Sequence, residues 1–450
     1  MKLWAIYLKA CGLSARAFDA LHGLGIVMSH KWTANAYDTL LQHAMEEARR
    51  VIQQQPWIIS HDNVNVPIRV FSQHLHNQSH FISGCAATVW VLPAMAALPS
   101  DANKLLRIQC AQGINDGPFQ FADLLDGNVA AYSRIRQQYI YHVLRILIDS
   151  PEFSDYKFRG DNHFKPPPAV NPLPYGPDHT VRQYILGMTD IDESSYEGND
   201  RVIAEFFRQL ELNSKDEQKK TGLIRLLLWI GDQMTVEQLW GLFKYHYEDF
   251  NSFDCMDYMV PLFRWFHMVM AFANSLHKQY LGYLSIIRSL QQAFDVLQRK
   301  GLQKPETKGP FWHHLHEALY HVGEAHLRAT WLIVADVMSL TKLKMKHPAD
   351  LCSLATKLID EQASRKALTK MRNMPEMAQE NVLTRWITFN SDILSYIELT
   401  TAIKYGDVGW MEDMLPIMLF CFAGGGNPKY TIEILELMQG LRKEWPDIVK

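Results

Sequence analysis

Between Thr33 and Gln55 the apolar residues Ala36, Leu40, Leu41, Ala44, Ala48, Val51 and Ile52 recur at helical spacing, and the pattern stops before Pro56. Residues three and four apart share one face of a helix, so this periodicity predicts an amphipathic helix. The texture then changes. Trp57-Ile58-Ile59 runs into His61-Asp62-Asn63-Val64-Asn65, then Ile68-Arg69-Val70-Phe71, a polar turn, and Gly84 to Leu92. β-Branched and aromatic residues cluster there between turn formers, which predicts three short strands with Asp62 at the end of the first.

Helical periodicity returns from Asp116 to Ser150, with Ile135, Tyr139, Val143, Leu144 and Leu147 on one face. Six prolines then fall within thirteen residues, Lys165 to Pro177, and such a run can only be an extended connector. A helix is expected around Val202–Leu212, and the charged stretch Glu211–Lys220 reads as a solvated loop. It delivers Gly222 to Ile230, an almost uninterrupted apolar run of strand length, followed by Gly231-Asp232-Gln233-Met234-Thr235. A run of this kind suits a strand buried on both faces, with a short buried helix as the alternative. From Val236 to Phe422 nearly everything reads as helix, with breaks at Gly301–Gly309, His347-Pro348 and Met374-Pro375. Gly424-Gly425-Gly426 forms a hinge, and Asn427 with Pro428 opens a last helix from Thr431 to Lys443, because asparagine suits the N-cap and proline the first turn. The domain outline is therefore 1–55 helical, 56–235 an α/β core interrupted by the 165–177 loop, 236–422 a helical domain or insertion, and 423–450 a glycine hinge and helix.

Composition narrows the function classes. In 450 residues, 48% hydrophobic and 11% aromatic is enough for a sizeable core, and 45 basic against 48 acidic side chains, net −3, excludes a surface that is a polycation throughout. Six cysteines stand singly with no paired spacing, which suits a reducing compartment. Lys9 interrupts the apolar N-terminal run, and the spans Met259–Ala273 and Met411–Gly424 are short or carry Arg264, His267, Glu412 and Asp413. No bilayer crossing is expected, and the chain reads as intracellular, nuclear or cytoplasmic.

Asp62 and Asp232 each follow a strand-like run, in the contexts HDNVN and GDQMT. Carboxylates delivered by neighbouring strands can hold two Mg²⁺ ions about 3.5–4 Å apart, the arrangement that stabilises attacking and leaving oxygens in phosphodiester chemistry. A hairpin with the first aspartate, a third strand, and a later strand with the second is the layout of a ribonuclease H-like core. The fold class expected is thus α/β but predominantly helical, a small ribonuclease H-like mixed sheet with a large α-helical insertion. Asp-Asn and Gly-Asp are also ordinary turn dipeptides, so both aspartates have a plain structural reading. Glu433 and Glu436 sit three apart on the last helix, and Glu433, nearer its start, is the candidate third carboxylate; the bland reading puts them on a solvated face.

A second constellation is a polar stripe, His267, Met270, Asn274 and His277, inside an apolar helix, facing Glu317, His321 and Glu324 on another. Histidine and glutamate at these spacings are what helical-bundle metal sites use, and a satisfied buried polar network uses them equally. No GxGxxG, P-loop, HExxH or GxSxG motif is present, and the triple glycine lacks the Lys-Ser/Thr of a phosphate loop.

Taken in order, HDNVN, GDQMT, the stretch Tyr247–Asp254, FHMVMAFANSLHKQYLG, Lys308-Gly309-Pro310-Phe311, Tyr405–Asp413 and GGGNPKYTIEILELMQGLRKEWP resemble a large set of fungal proteins catalogued as domain of unknown function 6589. The resemblance runs from about Pro56 to the C-terminus. It implies descent from mobile elements, with Asp62 and Asp232 as the first two acids of a DDE-type transposase and 236–420 as an insertion before the last. Family members continue beyond Trp445-Pro446, so the resemblance also implies a truncated copy. Three readings stay open at this point: a Mg²⁺-dependent nuclease or strand-transfer core acting on DNA, through Asp62, Asp232 and Glu433; a non-enzymatic helical scaffold or nucleic-acid-binding module; and a helical-bundle metalloprotein using His267, His277, Glu317, His321 and Glu324.

Overall fold

The computed structural model describes all residues except 69, 71–73, 75–77, 283–288, 298–311 and 376–380, and leaves out the side chains of 66, 68, 80–82, 125–130 and 381. The chain divides into two compact units, residues 1–109, 175–262 and 446–450 in the first, and 110–174 and 263–445 in the second. Passage from the second unit to the first falls between Pro174 and Tyr175, inside the proline-rich run.

The first unit opens with helices α1 (Lys2–Ala10), α2 (Ala15–Gly23) and α3 (His30–Ile52). Ser14 and Ser29 cap α2 and α3 by accepting the N–H of Ala17 and Trp32, which satisfies donors that a helix start leaves orphaned. The sheet follows: β1 (Trp57–Ile68), β2 (His80–Val91), β3 (Arg182–Ile185), β4 (Leu227–Gly231) and β5 (Met259–Phe263), in the spatial order β3-β2-β1-β4-β5. β1 runs antiparallel to β2 and parallel to β4, and β2 runs antiparallel to β3, so the sheet is mixed. Between its strands lie α4 (Ala102–Asn115), α6 (Tyr196–Gln209), α7 (Lys215–Leu223) and α8 (Gln233–Tyr245). Alternation along the strands sends Trp57, Ile59, Ala87, Val89, Leu227 and Trp229 into one core with Phe206 and Phe207 of α6, Leu239 and Leu242 of α8, and Val51 and Ile52 of α3.

The second unit is a helical bundle: α5 (Phe121–Ile148), α9 (Trp265–Tyr280), α10 (Leu290–Leu297), α11 (Trp312–Ala335), α12 (Pro348–Gln362), α13 (Arg365–Arg372), α14 (Asn381–Tyr405), α15 (Val408–Gly424) and α16 (Pro428–Gln439). Helix α5 packs against α12, α14 and α15. Its buried side is also tied by polar contacts, Tyr139 to Ser395 at 2.6 Å and His142 to Glu398 at 2.6 Å, while the Trp331 indole N–H donates to the Val143 carbonyl at 3.1 Å. The proline-rich segment is pinned in this unit, since the buried Asp407 carboxylate accepts the backbone N–H of Val170 at 2.9 Å and of Asn171 at 3.0 Å.

The molecule is mostly helical with one small mixed sheet, and several boundaries differ from those the sequence suggests. Asp62 lies inside a twelve-residue strand, not at its end, because β1 runs on through the polar HDNVN segment with every residue paired to β2. Of the separate strand expected at Ile68–Phe71, Ile68 belongs to β1, and Arg69 and Phe71 lie outside the described residues. The charged stretch expected as a loop contains α7, whose start Ser214 caps by accepting the Glu217 N–H, and Gly222 and Leu223 close that helix. β3 and β5 are short strands that carry no alternation, and Met259–Phe263 hides in what reads as the start of a helix. The break at Gly301–Gly309 and the Lys308-Gly309-Pro310-Phe311 block lie outside the described residues.

Candidate functional site

The two aspartates arrive on neighbouring strands. Ile59 pairs with Trp229 and Ser60 with Ile230 in the parallel β1–β4 ladder; Asp62 lies two residues beyond the last pair on β1, and Asp232 directly follows the end of β4. Asp62 is half-buried and, by alternation with His61, faces the side of the sheet opposite the aromatic core. Asp232 has left the ladder: it is the N-cap of α8, and its Oδ1 accepts the Thr235 N–H at 2.7 Å. The turn at its foot is tight, since a Cβ on Gly231 would stand 2.5 Å from the Thr235 methyl. Asp232 therefore performs the turn-capping role that its GDQMT context allows, while Asp62 lies within β1.

Immediately behind Asp62, on the core side, lies a polar cluster that the sequence reading does not single out. The Trp229 indole N–H donates to His61 Nδ1 at 2.6 Å. An indole nitrogen only donates, so Nδ1 is the acceptor and the ring proton sits on Nε2. That nitrogen lies 2.8 Å from Glu193 Oε2, a close electrostatic contact without hydrogen-bond alignment. The Cys85 thiol donates to the same carboxylate oxygen at 3.3 Å. His61, Cys85 and Trp229 are fully buried, and Glu193 is 4% exposed. Burial, and then the facing Glu193, push the Cys85 thiol well above its ordinary range, so it is a neutral donor and not a nucleophile. Glu193 is held in turn through its backbone, its carbonyl accepting the Asn199 side-chain amide. Gly198 lets that turn close, for a Cβ there would lie 1.9 Å from the Asp192 carbonyl.

The other candidates belong to the second unit. Glu433 lies on α16 and is 5% exposed, whereas Glu436 is exposed, so the solvated-face reading holds for Glu436 and fails for Glu433. The triple glycine is the α15–α16 turn: Gly424 ends α15, Gly425 caps it, and Gly426 takes φ +68°. Asn427 stands at the N-cap of α16 with Pro428 behind it, but its side chain makes no capping bond.

His267, Asn274 and His277 lie half-buried on α9, and Glu317, His321 and Glu324 half-buried on α11, two helices that pack together. His277 stacks on Phe294 with ring centroids 6.2 Å apart, and burial lowers its pKa. His316, one position before Glu317, accepts or donates at 2.7 Å with the Tyr396 hydroxyl. Among the described residues no three His, Cys, Asp or Glu side chains converge to hold a metal ion, in this stripe or elsewhere. Nor is any described helix long and apolar enough to cross a membrane.

Of the residues that sequence reasoning missed, His61 left the clearest trace: it is a polar residue on the inward parity of an otherwise apolar strand, in step with Trp57 and Ile59. Glu193 and Cys85 left none, because one of three acids in the loop Asp190-Ile191-Asp192-Glu193 and a lone cysteine gain meaning only once the chain folds.

No curated protein and no solved structure matches the chain. A family model does, over residues 116–450, beginning later than the Pro56 that the sequence resemblance suggests and leaving β1, β2 and Asp62 outside the matched stretch. Asp232 and Glu433 fall within it. The match covers most of the chain, which thus belongs to the family described as "Family of unknown function (DUF6589)".

Proposed function

We propose that the first unit carries a phosphodiester-processing core of the ribonuclease H type, descended from a DDE-type transposase. Asp62 and Asp232 are its Mg²⁺ ligands, and DNA is its substrate. The observation that carries this reading is the parallel β1–β4 register, which brings the strand with Asp62 and the strand leading to Asp232 side by side. The rest of the layout accords with it: β1 also has an antiparallel hairpin partner, and the strand order sets β1 at the centre of the sheet with β4 beside it.

Mg²⁺ keeps several waters and commonly takes only one or two carboxylates from the protein, with substrate phosphates completing the shell. Two aspartates fit that demand. When bound, the ion polarises the phosphoryl group and lowers the pKa of a water. Asp62 contributes a half-buried carboxylate on the sheet face, and Asp232 contributes the oxygen its helix cap does not use. Incubation of the protein with supercoiled DNA and Mg²⁺ or Mn²⁺ is expected to yield nicked product that disappears in Asp62→Asn. Equal nicking by wild type and variant would reject the assignment.

One specific observation favours a second reading, a non-enzymatic nucleic-acid-binding scaffold: the Asp232 carboxylate already serves as the cap of α8. In that case DNA affinity falls steeply with salt and ignores divalent metal.

A further inference from the structure

We propose that His61 is a positioning residue for the metal site, acting through its hydrogen bond from Trp229 to hold β1 in register against β4 where Asp62 and Asp232 stand. The proposal rests on the Mg²⁺ reading given above. Its basis is where the strand pairing runs out. The β1–β4 backbone pairs are Ile59 with Trp229 and Ser60 with Ile230, and Asp62 lies two residues beyond the last of them. The tie that continues past that point is a side-chain one: the Trp229 indole reaches forward from its place opposite Ile59 to His61 Nδ1, at 2.6 Å. The next residue is Asp62.

The bond is well placed to fix geometry. Both partners are fully buried, so no water competes for the indole proton or the ring nitrogen. The imidazole ring also packs against two aromatic rings, Trp229 edge-on at 5.7 Å and Phe206 tilted at 6.1 Å between ring centroids. Glu193 and Cys85 close the far side, and they approach from the loop before α6 and from β2. One ring thereby connects β4, β1, β2 and the helix that covers them, at the position in β1 immediately preceding the candidate ligand. Groups that orient a metal ligand without touching the ion change metal affinity about 10–100-fold when removed.

Two substitutions separate positioning from plain packing. In His61→Asn the side-chain oxygen falls near the old Nδ1 and still accepts from Trp229, while the contact to Glu193 is lost. In His61→Gln the side-chain amide reaches toward Glu193, while the acceptor for Trp229 is lost. Each removes one polar contact from the same buried cluster, so a merely structural role lowers stability in both and leaves metal affinity alike in both. The positioning role predicts instead that Mn²⁺ affinity, read by calorimetry on the folded full chain, stays within about twofold of wild type in His61→Asn and falls about tenfold or more in His61→Gln. Trp229→Phe, which deletes the same bond from the other side, is expected to match His61→Gln, and it keeps the test decisive if His61→Gln does not fold. Wild-type affinity in His61→Gln or Trp229→Phe, with binding still lost in Asp62→Asn, overturns the positioning role and leaves the metal site standing. Absence of Mn²⁺ binding in the wild type overturns both.

Discussion

The Asp232 carboxylate accepts the Thr235 N–H at 2.7 Å, so the residue proposed to hold Mg²⁺ also starts helix α8. The two roles make different demands on a substitution. Asparagine caps a helix about as well as aspartate, whereas alanine costs about 1 kcal/mol. Asp232→Asn is therefore expected to melt close to wild type, and Asp232→Ala several degrees lower, as followed by circular dichroism. If Asp232→Asn were as destabilised as Asp232→Ala, the carboxylate would be doing more for the fold than capping.

Asp407 anchors the proline-rich run. It is buried and accepts three backbone N–H groups, those of Val170, Asn171 and Trp410. Alanine in its place leaves those donors unsatisfied, a loss on the order of 2–4 kcal/mol. Asp407→Ala is expected to unfold at lower urea concentration and to be cut by protease within 165–177 under native conditions. An unchanged urea midpoint would show that the run is held by its prolines alone.

The Asp392 carboxyl lines a cavity of about 70 Å³ in the second unit. Burial pushes it up to about 6, opposed by the Tyr280 hydroxyl, Arg365 and Gln279. Its folded-state pKa is raised, so between about pH 4, where the unfolded carboxyl titrates, and about 6 the native state holds a proton that the unfolded chain has released. Stability from this group is present at the acid end of that window and falls as pH rises through it. Asp392→Asn is expected to flatten this dependence and to gain on the order of 1 kcal/mol at pH 7. Denaturant curves at pH 4.5 and 7 decide it, and identical slopes for both proteins would contradict the account.

Cys85 and Cys11 differ in access. Cys85 is fully buried with its thiol pushed up, and Cys11 is exposed. A thiol reagent on the native protein is expected to modify Cys11 readily and Cys85 only after unfolding, with peptide mass mapping as the check.

Long periodic elements were legible in the sequence, and elements made by their neighbours were not. The helix through Ala48, Val51 and Ile52 reads directly from its stripe, and Trp229 reads as the centre of a buried strand. β3 is four residues long and mostly exposed, and β5 merges into the apolar start of α9, so neither carries a period to detect. The polar residues of HDNVN suggested a strand end, yet β1 continues there because each of its residues has a register partner on β2. The candidate site was half legible. Asp62 and Asp232 stand out by context, while the link through His61, Glu193 and Cys85 joins residues more than a hundred positions apart.

The central claim is that Asp62 and Asp232 form one divalent-metal site, and calorimetric titration of Mn²⁺ into wild type, Asp62→Asn and Asp232→Asn tests it most directly. The account predicts saturable binding in the wild type and its loss in each variant, with all three proteins folded by circular dichroism. Unchanged binding in the double variant Asp62→Asn/Asp232→Asn, or none in the wild type, would contradict it.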